Sequence, residues 1–132
     1  MNTPTAELTG IVIGCAMRVH SKLGPGFLES VYQNAFVHEL RKAGLTCETS
    51  LSIPVYYDGV VVGTFVADIV VNQCLIIENK AVSALVPAHE VQLVNYLVAT
   101  GRDTGLLFNF GSSRLEFKKK FRHRQVNTNS LK

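Results

Sequence analysis

The chain has 132 residues, 47% of them apolar, and a net charge of +3; that is enough for one domain with a real core. No apolar run reaches the roughly 18 residues that span a bilayer, and the opening "MNTPTAELTG" lacks the basic-then-apolar pattern of a signal peptide. Three scattered cysteines, Cys15, Cys47 and Cys74, form no CxxC pair, which argues against a zinc site or a disulfide framework and for reduced thiols in a cytoplasmic protein.

The first predicted element is a helix over 5–23. Leu8, Ile11, Val12, Cys15 and Val19 recur at helical spacing, Thr5 suits an N-cap, and Gly24-Pro25-Gly26 ends the helix. A second helix is expected over about 27–43, with Phe27, Val31, Ala35, Phe36 and Leu40 as its apolar stripe. Arg41 and Lys42 fall in its last turn and Gly44 just beyond.

Strands follow. "CETSLSIPVYY" contains Pro54, which points to an edge strand or a bulge. Asp58-Gly59 is a hairpin signal. "VVVGTFVADIVV" is apolar at alternating and intervening positions alike, so both of its faces should be covered. Asn72-Gln73 turns the chain into "CLIIENKAV". A third helix is predicted over about 87–100, opened by Pro87 and closed by Gly101. "TGLLFNFG" and "RLEFKKKF" read as two more strands. The helix between "CLIIENKAV" and "TGLLFNFG" is a crossover, so those strands should run parallel. The predicted fold class is α/β (α+β): a mixed sheet of about five strands flanked by helices.

The charge is unevenly placed. Residues 114–132 carry seven Lys/Arg and one acid, Glu116, whereas residues 1–113 carry six Lys/Arg and nine acids. A basic C-terminal segment on a mildly acidic body suits a polyanionic partner; a solvated tail that aids solubility fits the charge equally well.

The chemistry sits where the apolar runs are broken. Asp68 interrupts "VADIV", and Glu78 and Lys80 interrupt "LIIENKAV". Residues two apart on a strand share a face, roughly 7 Å apart. A buried carboxylate is costly unless it is paired or binds a metal, and two carboxylates on adjacent strands repel unless a cation lies between them. A hard divalent ion needs only one or two carboxylates. A lysine beside it can act on the attacking water and stabilise developing negative charge. Asp68, Glu78 and Lys80 thus form a candidate phosphodiester-hydrolysis constellation.

Asp68 followed by Glu78-Asn79-Lys80, after a helical start and before a helix, resembles the PD-(D/E)XK nuclease superfamily, with its restriction-endonuclease-like core. "GFLESVY", residues 26–32, reads Gly26-x-x-Glu29-x-x-Tyr32 and resembles the signature of the small bacterial GxxExxY family within it. The similarity extends through "GTFVADIVVN", "LIIENKAV", "HEVQLVNYL" and "GLLFNFG", roughly residues 8 to 121. Ala67 stands where the superfamily name has proline. Gln92-x-x-x-Tyr96 is similar to the QxxxY element of the RecB-like branch.

The resemblance implies a hydrolase using Mg²⁺ or Mn²⁺ on DNA or RNA. Asp68 and Glu78 would be metal ligands, with the Asn79 main-chain carbonyl as a further ligand and Glu29 as another acid. Lys80 would act on the water. Gln92 and Tyr96 would support the site, with His20 as an outer candidate; separately, His89 lies three residues before Gln92 on the same helical face and could see the site. Lys118, Lys119, Lys120, Arg122 and Arg124 are the candidate nucleic-acid contacts. Residues 1–121 would form the nuclease-like domain and 122–132 a basic, flexible tail. At this size a homodimer or larger complex is expected.

Register supplies a separate test. If Asn72 and Gln73 alone make the turn, Asp68 opposes Ile77 and the two carboxylates face opposite sides of the sheet. Sharing a metal requires an odd loop such as Asn72-Gln73-Cys74, or a bulge. The Asn79 side chain points away from Glu78 and Lys80 and needs a partner on the other face.

Each motif has a plainer reading. Glu78 and Lys80 alone could be a solvated face or an ion pair, Glu29 a first-turn helix acid, Tyr32 core, and Gln92 with Tyr96 an ordinary helical pair. A catalytically weak nucleic-acid-binding or accessory protein on the same fold, or a metal-free interaction module, is the alternative function.

Overall fold

The computed structural model describes residues 4–122. Two helices come first, α1 (Ala6–Leu23) and α2 (Glu29–Lys42), then β1 (Cys47–Tyr57), β2 (Val60–Val71) and β3 (Leu75–Lys80). Helix α3 (Pro87–Thr100) crosses over to β4 (Thr104–Asn109), and β5 (Glu116–Phe121) ends the sheet. The strands lie in the order β1-β2-β3-β4-β5. Among the described strands, only the β3–β4 pair is parallel, as the crossover demands.

Local chemistry explains the boundaries. The Thr5 side chain accepts from the Leu8 N–H at the start of α1. Asp58 and Gly59, at φ 52° and 74°, form a two-residue turn with left-handed backbone at both positions. Pro54 lies on the edge strand, one residue before a register shift at Val55/Tyr56. Both contexts tolerate its missing N–H.

The sheet has two covered faces. Val12, Cys15, Val19, Tyr32, Phe36 and Leu40 from α1 and α2 pack with Ile69, Val71, Leu75, Ile77, Leu106 and Phe108. On the other face Leu93 and Leu97 of α3 pack with Phe65, Ala67, Val70, Ile76 and Leu107. Full burial of each large apolar side chain contributes about 1.5–3 kcal/mol. Ala67 and Ile69 have the same strand parity yet belong to different clusters, so the alternation breaks at Asp68. Ser50, beside Asp68 on β1, has a left-handed φ of 51°.

Three expectations need correction. Helix α2 begins at Glu29, not 27, and Phe27 and Val31 are exposed. Its buried apolar face is Tyr32, Phe36, Val37 and Leu40, so Phe36 and Leu40 keep their expected place while Tyr32 takes the place expected of Val31. Helix α1 likewise leaves Ile11 partly exposed and buries Ala16. Strand β2 is not covered on both faces throughout. Val60, Val61, Val62 and Val66 are more than half exposed, since the outer β1–β2 hairpin extends past the helices.

The C-terminal basic residues are partly committed. Lys120 pairs with Glu90 of α3 and Arg122 with Asp103. Arg122, first residue of the expected tail, also donates its main-chain N–H to the Asp103 carbonyl. Arg124 and the remainder of that tail lie outside the described residues.

Candidate functional site

The ladder between β2 and β3 pairs Val71 with Leu75, Val70 with Ile76 and Ile69 with Ile77. The turn is therefore Asn72-Gln73-Cys74, three residues, and the next opposed pair is Asp68 and Glu78. Asn72 and Gln73 adopt left-handed φ of 49° and 59°. Asn72 Oδ1 accepts from the Thr46 N–H, and its own N–H donates to the Thr46 carbonyl. The odd loop is thus fastened to the segment between α2 and β1.

Beyond Ile69 and Ile77 the ladder stops and side chains replace it. The Asp68 N–H donates to Glu78 Oε1 (3.2 Å), and the Asn79 N–H donates to Asp68 Oδ2 (2.7 Å). Each carboxylate satisfies a backbone donor of the opposing segment, so the strands part into a fork whose two arms carry acids.

Glu29, the first residue of α2, reaches the same place. Burial, then the Asp68 charge, raises its carboxyl above the ordinary value, while Lys80 lowers it. Glu29, Ser30, Gln33 and Asp68 line an open cleft of about 330 Å³. Burial raises Asp68 too, against the lowering effects of the Asn79 N–H, Lys80 and Glu78. Glu78 is affected most: burial, then the neighbouring Asp68, pushes its carboxyl up to about 8. The fork holds more negative charge than Lys80 offsets.

Tyr32 explains how Glu29 is aimed. Its hydroxyl donates to the Gly24 carbonyl and accepts from the Phe27 N–H, and its ring stacks on Phe110 at 5.1 Å. Gly26 turns with φ 110°. In Gly26-x-x-Glu29-x-x-Tyr32, glycine makes the turn, tyrosine pins it, and glutamate faces the fork.

Asn79 finds its partner across the sheet. It is buried on the α2 side and donates from Nδ2 to Gln33 Oε1 (2.7 Å), while Gln33 Nε2 donates to the Asp68 carbonyl (2.7 Å). Asn79 Oδ1 has no donor among the described residues. Gln33 therefore ties both arms of the fork to α2. It escaped the sequence reading, although it lies one turn after Glu29 and shares its helix face.

The end of β3 is held as well. The Phe110 N–H donates to the Lys80 carbonyl, and Asn109 Oδ1 accepts from the N–H groups of Val82 and Gly111. A Cβ on Gly111 would stand 2.5 Å from Val82 backbone atoms, so only glycine admits this approach.

Tyr96 stacks on Phe65 at 4.1 Å, and Gln92 is exposed one turn earlier. His89 Nδ1 accepts from the Val86 N–H at the start of α3. His20 Nε2 bonds the Ser112 carbonyl. None of these four is hydrogen-bonded to Asp68, Glu78 or Lys80 among the described residues.

Among the described residues, no group of three or more His, Cys, Asp or Glu side chains could hold a metal ion. The donors at the fork are nonetheless all oxygen. Two opposed carboxylates, of which Glu78 is held protonated up to about pH 8 by burial and then by the Asp68 charge, match a hard cation that takes one or two carboxylates and keeps waters.

A family model described as PD-(D/E)XK nuclease superfamily matches residues 6–122. The chain belongs to that superfamily, and its five-stranded mixed sheet with three helices agrees with that fold. Comparisons with curated proteins and with solved structures give no match. No helix among the described residues is long and apolar enough to cross a membrane.

Two outcomes are expected. Gln33→Leu strands the Asn79 amide and should lower stability by about 1–3 kcal/mol. Gln33→Leu with Asn79→Leu should recover part of that loss in a denaturant double-mutant cycle; strictly additive losses would contradict the bridge. Glu78 binds its proton more tightly folded than unfolded, so its contribution to stability falls as pH rises from the ordinary carboxylate range to about 8. Without metal, Glu78→Gln should raise Tm at pH 8 by several degrees, as a relief of about 1 kcal/mol does in a domain this size, and change it little at pH 4. Equal effects at both pH values in calorimetry would contradict the raised carboxyl.

Proposed function

We propose that the protein is a Mg²⁺- or Mn²⁺-dependent nuclease that hydrolyses phosphodiester bonds of DNA or RNA. The observation that carries this reading is the fork, where a three-residue turn sets Asp68 against Glu78 with Lys80 two residues on. Membership of the superfamily supports a nuclease-like function, and the Gly26, Glu29 and Tyr32 roles support the closer likeness to the GxxExxY family.

Asp68, Glu78 and the Asn79 carbonyl would hold the cation, with Glu29 beside them. When bound, it supplies charge neutralisation at the phosphate and a more acidic water. The chain's residues do the rest. Lys80 orients the attacking water and offsets negative charge on the phosphoryl oxygens. Gln33 and Asn79 keep the two arms of the fork in place. Water gives up a proton to solvent as it forms the new P–O bond, the ester P–O bond breaks, and the leaving oxygen takes a proton from solvent. Gln92 and Tyr96 act as outer support from α3, and Lys118 and Lys119 on β5 as secondary phosphate contacts. The three free cysteines suit a reducing cytoplasm, and a homodimer would supply the grip that a chain of this size lacks.

In a cleavage assay on labelled DNA and RNA, wild-type protein with Mg²⁺ or Mn²⁺ should cut, and a chelator should abolish cutting. Asp68→Ala and Lys80→Ala should each lower the rate at least about 100-fold while remaining folded. Cleavage that survives either substitution would refute the assignment. Binding without cleavage under every metal would favour an accessory role instead.

A further inference from the structure

The cleft at Asp68 does not end there. Ser30 and Gln33 line both it and a second groove of about 540 Å³ between α2 and β1. That groove is walled by Asn34, His38 and Arg41 on α2 and by Thr49 and Ser50 on β1. Ser30, Asn34, His38 and Arg41 recur every three to four residues, so they form one stripe along the helix. Ser50 lies across the β1–β2 ladder from Asp68, between the pairs Thr49–Ile69 and Leu51–Ala67. The groove therefore begins at the fork and runs along α2 for roughly 16 Å, at 1.5 Å per residue.

Its chemistry suits a sugar-phosphate backbone. One guanidinium nitrogen of Arg41 donates to the Cys47 carbonyl (3.1 Å). That contact fixes the side chain and leaves its charge uncompensated by any ion pair among the described residues. On β5, by contrast, Lys120 is already paired with an acid. The remaining groove groups are hydroxyls, two amides, an imidazole and the Val37 side chain. No Phe, Tyr or Trp lines the groove, so it lacks the broad aromatic platforms on which successive bases stack.

We propose that this groove seats the nucleic-acid strand flanking the scissile phosphate. Arg41 and His38 contact phosphates, and Asn34, Thr49 and Ser50 bond the sugar-phosphate backbone. The proposal rests on the nuclease reading of the fork and adds the path of the substrate. Backbone contacts carry no sequence information, so this part of the binding is sequence-tolerant.

The test is fluorescence anisotropy with labelled single-stranded DNA and RNA of mixed sequence, in Mg²⁺, on a full-length Lys80→Ala background that leaves the probe uncut. Arg41→Gln should weaken binding roughly tenfold for every sequence tried and reduce the salt slope by about one. Thr49→Glu, which leaves the Arg41–Cys47 contact alone, should weaken binding in the same direction. Unchanged affinity and slope in both variants, with Tm preserved, would overturn the groove and leave the fork's cleavage reading standing. Failure of the background protein to bind either probe would overturn both.

Discussion

The site depends on a turn of three residues rather than two. Because strand side chains alternate, one residue more or fewer would send Asp68 and Glu78 to opposite faces. Left-handed backbone at Asn72 and Gln73 makes the odd turn possible, and the Asn72–Thr46 bonds secure it. Once the acids oppose each other, they accept the N–H groups that the ladder would otherwise use. The same bonds that end the β2–β3 pairing therefore aim the carboxylates. A conventional strand pair would have used those N–H groups in the ladder and left no fork.

The candidate site is built at a cost to stability. Asp68, Glu78 and Glu29 are all raised by burial, and Glu78 is raised further by Asp68. The fold tolerates this because the surroundings are closely packed and hydrogen-bonded. Ile69, Ile77 and Phe108 are fully buried on the helical face. Gln33 spans the two arms, and Asn109 with Gly111 fixes the chain after Lys80. An acidic cluster on a loose loop would swing apart; here repulsion is held within the fork, where a cation's charge would relieve it.

Much of this was legible in the sequence. Apolar runs bounded by glycine, proline and Asp-Gly placed the strands and α3, and the interruption of those runs by Asp68, Glu78 and Lys80 marked the fork. The shared-metal condition calls for an odd loop or a bulge, but the sequence does not choose between the two, since Cys74 reads equally as turn or strand. Phe27 and Val31 misled because a helical period cannot say where the first turn starts. Val60 to Val62 misled because apolar β-branched residues promote a strand whether or not anything covers it. Gln33 was missed because its work is done between elements, on a main-chain carbonyl and a buried amide that only the tertiary fold brings together. Asn79 was seen to need a partner, but its identity was beyond one-dimensional pattern.

The central claim is that Asp68 and Glu78 share one divalent cation. Titration calorimetry with Mn²⁺ at pH 7, repeated in buffers of different ionisation heat, tests it most directly. A Glu78 carboxyl that stays protonated up to about pH 8 must surrender its proton when a cation binds. Binding should therefore release protons at pH 7, release far fewer near pH 9, and weaken sharply in Asp68→Asn and Glu78→Gln. Mn²⁺ binding that releases no proton at pH 7, or that is indifferent to both substitutions, would contradict the account.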